Sequence, residues 1–263
     1  MIDAKSYGPW ALIAGASEGV GVSFARQLGE AGINVILVAR QKPLLDQLAR
    51  EVSAKGAAQV RVLQLDLTRT DVLDRVREVT DDVEVGLVVF NAAASAGTSP
   101  FLDAPLDKVV KALHLGPIGY ASLVHHFGKK MVARGKGGII IVGSLAGNAG
   151  GPGVVLYSAV KAFAQIFAEG LWTELKPLGV DVLYAVLGAT RTPARERVGL
   201  KDSPDQFIAE PDDVARECLE NITNGPVLVP AHLEQAFRTF SSLPRREAAE
   251  TMASLLLSFK DQE

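Results

Sequence analysis

Tyr157 and Lys161 stand four residues apart, and Ser144 precedes the tyrosine by thirteen. On a helix, residues i and i+4 share a face, so an ammonium at 161 sits beside a phenol at 157. A phenol ordinarily titrates near 10, too high to trade protons readily at neutral pH, and a neighbouring cation favours its ionised form. A hydroxyl arriving from a strand end, Ser144, would hold a substrate oxygen against that phenol. Such a trio suits proton exchange with a carbonyl or an alcohol. Tyrosine and lysine at this spacing also occur as a half-buried aromatic beside a solvated charge, so the rest of the chain has to decide.

The elements that must position these groups are legible as apolar runs: Trp10 to Ile13, Asn34 to Val38, Val60 to Leu65, Val85 to Phe90, Gly138 to Val142, Val180 to Val186 and Pro226 to Val229. Amphipathic or capped stretches separate them. Continuous apolar strands alternating with helices predict an α/β fold, a single Rossmann-like, doubly wound parallel sheet with helices on both faces. In such a sheet ligands bind beyond the carboxyl ends of the strands, so the loops there become the candidates. The first is Ala14-Gly15-Ala16-Ser17-Glu18-Gly19-Val20-Gly21. Its glycines let backbone approach a pyrophosphate, and the following helix N-terminus offers unpaired N–H groups. A tight strand-to-helix turn would also account for them.

Composition narrows the classes. The 263 residues, 48% of them hydrophobic, fit one nucleotide-binding domain over 1–263. The polar stretch Ala194 to Ala209 reads as a substrate lid, and about 231–260 as a helical tail with Leu233, Phe237 and Phe240 on one face. A net charge of −3 leaves no basic footprint for nucleic acid. No run is long enough to span a bilayer, and no export signal precedes Trp10, which predicts a cytoplasmic protein without a membrane role. Cys218 is the one cysteine and reads as inert core; the four histidines lack ligand spacing, so no metal is expected.

The glycine spacing G-x-x-x-G-x-G, Asp66, Asn91, Ser144, the Tyr157/Lys161 pair, Gly188 and Thr192, in that order, resemble the short-chain dehydrogenase/reductase family. The resemblance runs from Trp10 to roughly Val229. It implies a nicotinamide cofactor held by Gly15, Ser17, Gly19, Val20, Gly21, Arg40, Asp66, Asn91, Tyr157, Lys161, Gly188 and Thr192, with Ser144, Tyr157 and Lys161 catalytic. At the end of the second strand, Ala39 stands where an acidic residue would repel a 2′-phosphate, and Arg40 can pair with one, which favours NADP(H) over NAD(H). Arg40 also reads as a solvated loop charge, and Glu18 occupies a position where NADP-preferring relatives often carry a base. Asp66 would meet the adenine amino group or serve as a helix cap, with Thr68 and Thr70 as rivals for the cap. Asn91 would contact the cofactor or tie strand ends together, and Thr192 would touch the nicotinamide side or cap a helix.

The chain departs from the family in three places. Ala93 and Leu187 replace a glycine and a proline. On the long helix from about Pro105 to Arg134, Leu113 falls where relatives carry an asparagine of the proton relay. His114 is one step, about 100°, away; it is either a buried structural histidine or, given local distortion near Pro117, a substitute. The expected activity is interconversion of a ketone and a secondary alcohol, with Phe101, Leu145, Leu156 and Val198 as apolar candidates for the substrate wall. A homodimer or homotetramer through the long helices is what the family suggests. The alternatives are a non-catalytic NADP-binding regulator that keeps the fold and an adenosyl-methionine methyltransferase, which also follows its first strand with a glycine loop.

Overall fold

Each of the apolar runs forms a strand in the computed structural model, which describes residues 2–55, 59–92, 100–197 and 207–258. The strands are β1 (Trp10–Ala14), β2 (Asn34–Ala39), β3 (Val60–Gln64), β4 (Val85–Phe90), β5 (Gly137–Val142), β6 (Val180–Ala185) and β7 (Val227–Leu228). They pair in parallel in the order β3-β2-β1-β4-β5-β6-β7. Between and after them lie α1 (Ala4–Tyr7), α2 (Val20–Glu30), α3 (Lys42–Lys55), α4 (Val72–Arg77), α5 (Leu106–Leu113), α6 (Gly119–Arg134), α7 (Val155–Leu175), α8 (Pro193–Arg197), α9 (Pro211–Glu220), α10 (Glu234–Ser242) and α11 (Arg245–Ser258).

The strands are apolar on both faces because both are covered. In β1, Leu12 and Ala14 join one core with Tyr120, Phe127, Val160 and Ala164 from α6 and α7. Ala11 and Ile13 point the other way, into a core with Phe24, Leu28, Leu45 and Val214 from α2, α3 and α9. This is the two-residue strand period, and each fully buried Leu, Ile or Phe contributes roughly 1.5–3 kcal/mol. Cys218 is buried in the second core, as expected of an inert thiol.

Two features of this scaffold set up the site. Strand order reverses at β1, which has β2 on one side and β4 on the other, so the chain leaves these strand ends in opposite directions and opens a crevice. The long helix is interrupted as well. Between α5 and α6, residues His114–Ile118 form a π turn that includes Pro117. Proline supplies no N–H, and the wider turn accommodates it without ending the helix.

The stretch expected to form a lid is described at its two ends. It begins as α8 and returns at Ala209, where the Arg191 amide donates to the Ala209 carbonyl (2.9 Å) and the Ala209 amide to the Ala189 carbonyl (2.9 Å). Its middle, with Val198, Gly199 and Pro204, lies outside the described residues, as does Ala93. In the tail, Phe240, Ala248 and Met252 of α10 and α11 bury against Ala149. No helix among the described residues is long and apolar enough to cross a membrane.

Candidate active site

The glycine turn begins where β1 ends. Gly15 (φ +92°) and Gly19 (φ +56°) occupy backbone regions that side chains rarely enter. A Cβ on Gly21 would fall 2.0 Å from the Gly15 carbonyl oxygen and 2.8 Å from Asn91 Nδ2, so only glycine allows α2 to start there. The first turn of α2 has no side-chain cap, which leaves its amides, beginning at Val20, facing the crevice. Ser17 lies half-buried on the rim of the turn. A bare helix N-terminus behind backbone stripped of side chains fits a dinucleotide's pyrophosphate. Asn91 serves the turn from below: its amide nitrogen donates to the Gly15 carbonyl at 2.8 Å. Of its two expected roles, tying strand ends is the one the contacts describe.

At the adenosine end, Ala39 is buried and Arg40 is exposed beside it. Asp66 accepts from the Thr68 amide (3.0 Å) and the Thr68 hydroxyl (2.9 Å) through one oxygen, Oδ1. It is therefore a turn-capping residue. Burial raises its pKa, but the Thr68 hydrogen bonds and the fields of Arg40 and Lys111 outweigh that and hold it below the usual carboxylate range. Glu18 pairs with Arg197 of α8, Nη1 to Oε2 at 2.8 Å. This contact has no sequence signature, since 179 residues separate the partners. It cancels the charge of Glu18 next to the phosphate cradle. Thr192 caps α8 by accepting from the Arg195 amide at 3.3 Å, and its methyl lies against Gly19. Thr192 thus joins the loop after β6 to the glycine turn. Gly188 packs under Leu233, where a Cβ would meet Leu233 Cδ2 at 2.9 Å.

At the other end of the crevice, Ser144 leaves β5 in extended conformation, and its hydroxyl accepts from the Ala146 amide at 3.3 Å. Tyr157 and Lys161 rise from α7. Burial pushes the Tyr157 phenol up, and the nearby Ser144 hydroxyl pulls against that shift. Lys161 is 2% exposed; its ammonium donates to the Val142 carbonyl at 2.7 Å and lies 5.7 Å from the centre of the Tyr157 ring. With no carboxylate beside it among the described residues, burial pushes its pKa down to about 8. The ammonium is thus turned to the end of β5, with the Tyr157 ring beside it.

Leu113 is 39% exposed. His114 is half-buried, with Nδ1 shielded from solvent and unpartnered among the described residues, so the expected distortion at Pro117 is present without a direct bond to the site. Leu156 is buried in the core beneath the sheet's α7 face. Leu145 bridges that core and the cluster under α10 and α11, and Phe101 is 42% exposed. Tyr184, near the C-terminal end of β6, escaped the sequence reading because tyrosine is an ordinary strand former. Its hydroxyl bonds to the backbone of both Ser144 and Lys161. The available signal was a phenol among the apolar residues Val182 to Val186, since a buried tyrosine hydroxyl needs a partner.

A parallel sheet with its order reversed at a glycine-lined cradle, and with a serine, a tyrosine and a lysine beyond the neighbouring strand ends, defines the class of nucleotide-binding α/β oxidoreductases. Within that class the chain belongs to the short-chain dehydrogenases, nicotinamide-dependent enzymes acting on hydroxyl and keto groups: residues 9–203 match that family's model, described as "short chain dehydrogenase". It is 30% identical over 223 residues to the 7beta-hydroxysteroid dehydrogenase of Clostridium sardiniense, covering 83% of this chain and 84% of that one. Among solved structures it is similar to a short-chain dehydrogenase from Sphingobium yanoikuyae in complex with NADPH (29% identity, TM-score 0.78, 90% of this chain and 97% of that one). It is also similar to the bulky-bulky ketone specific alcohol dehydrogenase from Comamonas testosteroni (27% identity, TM-score 0.75, 90% and 95%). Family membership overturns the methyltransferase alternative and the reading as a mere regulator.

Proposed function

We propose that this chain interconverts a bulky, apolar ketone and its secondary alcohol with NADP(H). The observation that carries the proposal is that Ser144, just beyond β5, and Tyr157 and Lys161, one turn apart on α7, meet: the buried Lys161 ammonium lies 5.7 Å from the centre of the Tyr157 ring and 2.7 Å from the Val142 carbonyl, two residues before Ser144. The bound nicotinamide supplies the hydride in reduction and takes it up in oxidation. Ser144 donates a hydrogen bond to the substrate oxygen, and Tyr157 gives that oxygen a proton as negative charge builds on it. Lys161 holds the nicotinamide ribose and keeps a positive charge near the phenol once that ribose lies beside it. Gly15, Ser17, Gly19, Val20 and Gly21 hold the pyrophosphate. Asn91 keeps their turn in shape, Asp66 contacts the adenine through its uncommitted oxygen, and Gly188 and Thr192 close the nicotinamide side.

NADP(H) is favoured because the end of β2 offers a guanidinium at Arg40 and no carboxylate at Ala39. The NADPH complex of the Sphingobium relative is consistent with that choice. A bulky substrate is supported by the names of the steroid and bulky-ketone dehydrogenases it resembles, and by apolar Leu145 next to Ser144. The proposal includes a homo-oligomer joined through the long helices. The test is a panel of bulky ketones with NADPH and with NADH. Turnover with NADPH that falls by about 10³-fold or more in Tyr157→Phe, with NADPH affinity retained, is the expected result. Equal turnover by that variant would refute the assignment.

A further inference from the structure

Resting on the roles just proposed for Ser144 and Lys161, we infer that Tyr184 is a positioning residue: its hydroxyl fixes the distance between the Ser144 turn and the helix that carries Tyr157 and Lys161. Tyr184 is fully buried in β6, behind the site. The Ser144 amide donates to its hydroxyl oxygen at 3.1 Å, and the hydroxyl proton has the Lys161 carbonyl at 3.2 Å and the Ser144 carbonyl at 3.3 Å as acceptors. One oxygen therefore bridges the strand end of β5 and the α7 turn that bears the ammonium.

The backbone shows why a hydroxyl is required there. The amides of Gly143 and Leu145 donate to β6 and the loop beyond it, at Ala185 (2.7 Å) and Leu187 (2.9 Å). The intervening Ser144 amide faces away from that ladder, as alternate amides of a strand do, and Tyr184 is its partner. The chain makes room for this contact. A Cβ on Gly143 would fall 2.1 Å from Tyr184 Cζ, so the ring passes where any other residue would place a side chain. Val142, Gly143 and Ser144 are thus each engaged from behind: the Val142 carbonyl by the Lys161 ammonium, Gly143 by the Tyr184 ring and the Ser144 amide by the Tyr184 hydroxyl.

A phenylalanine would fill the same space and leave the Ser144 amide unpartnered. The hydroxyl works as a fixed bridge and exchanges no proton in the working range, because burial drives its ionisation far above the ordinary tyrosine value. Misplacement of a reacting group by about 1 Å costs on the order of 10²-fold in rate, so a bridge between two catalytic segments affects turnover more than cofactor binding.

Tyr184→Phe is the variant to make, with turnover on a reduced ketone and NADPH dissociation measured side by side. The expected result is a kcat lowered about 10- to 100-fold with NADPH affinity within about twofold of the parent. Because Tyr184 acts through Ser144, adding Tyr184→Phe to Ser144→Ala is expected to slow that variant by no more than about twofold. Should Phe leave a void that prevents folding, 4-fluorophenylalanine fills it without an O–H and is expected to show the same loss. Parental kcat in a variant lacking the hydroxyl, or losses that multiply with Ser144→Ala, would overturn the inference. Tyr157→Phe separates the two readings: if it is inactive while Tyr184→Phe is unimpaired, the site stands and only the bridge falls. If the parent reduces no ketone, or Tyr157→Phe matches it, the proposed function falls.

Discussion

Lys161 illustrates the conflict at the residue scale. A buried ammonium with a single carbonyl partner is costly, because one hydrogen bond does not replace its hydration. Its pKa falls from 10.5 to about 8, and at about 1.4 kcal/mol per unit the folded state gives up roughly 3 kcal/mol at most to keep the charge at pH 7. The unfolded chain holds this proton up to the ordinary lysine range, whereas the folded chain releases it near pH 8. Between those limits the unfolded state binds more protons, so stability rises with pH across that window. Lys161→Met is accordingly expected to abolish turnover while raising the melting temperature by a few degrees at pH 7. That advantage over the parent should narrow as pH rises from about 8 to above 10. Thermal denaturation of both proteins across that range checks it, and a Met variant that melts lower at pH 7 would show that Lys161 is held in place by favourable bonds. The chemistry of the trio was readable from residue types and spacing. The direction of the ammonium was not, because it depends on the Val142 carbonyl, which belongs to a different element.

At the scale of elements, the tail acts on the loop that borders the site. Arg245, at the start of α11, donates to the Asn148 carbonyl at 3.0 Å and lies 3.5 Å from the Phe240 carbonyl. Asn148 in turn donates to the Ser241 hydroxyl at 3.3 Å. Gly151 faces Leu256 and Met252, where a Cβ would come within 2.6 Å and 3.0 Å of their side chains. Residues 145–153 are thus shaped by α10 and α11. Arg245→Ala is expected to weaken that support by about 1 kcal/mol, seen as a roughly fivefold rise in KM for a bulky ketone with NADPH affinity unchanged. An unaltered KM, or an equal loss in NADPH affinity, would argue that the tail has no part in shaping the substrate side. The tail's amphipathic face was visible in Leu233, Phe237 and Phe240. Its target was not, since an apolar stripe carries no address.

For the whole molecule, the long helices leave apolar side chains in solvent: Val110, Leu113 and Ile118 along α5 and the π turn, and Phe163 and Ile166 on α7. Ile166 is 67% exposed, near the stacked pair Phe163 and Phe167. Clustered exposure of this kind suits a second copy of the chain. Ile166→Glu is expected to shift the mass measured by light scattering to that of one chain, with the circular dichroism of the parent. An unchanged oligomer would place the interface elsewhere.

Strand identity, parallel architecture, the glycine turn and the proposed reacting trio were all legible in local sequence. They depend on side-chain period, on glycine where a Cβ cannot fit, and on the spacing of one helical turn. Only the tertiary structure decided the partners: Tyr184 behind Ser144, Arg197 on Glu18, Arg245 on the site loop, and Lys161 turned to Val142. Each of these contacts joins segments brought together by the sheet order and the helix packing. A hydrogen bond depends on distances of a few tenths of an ångström, which the folded arrangement sets and residue type alone does not encode.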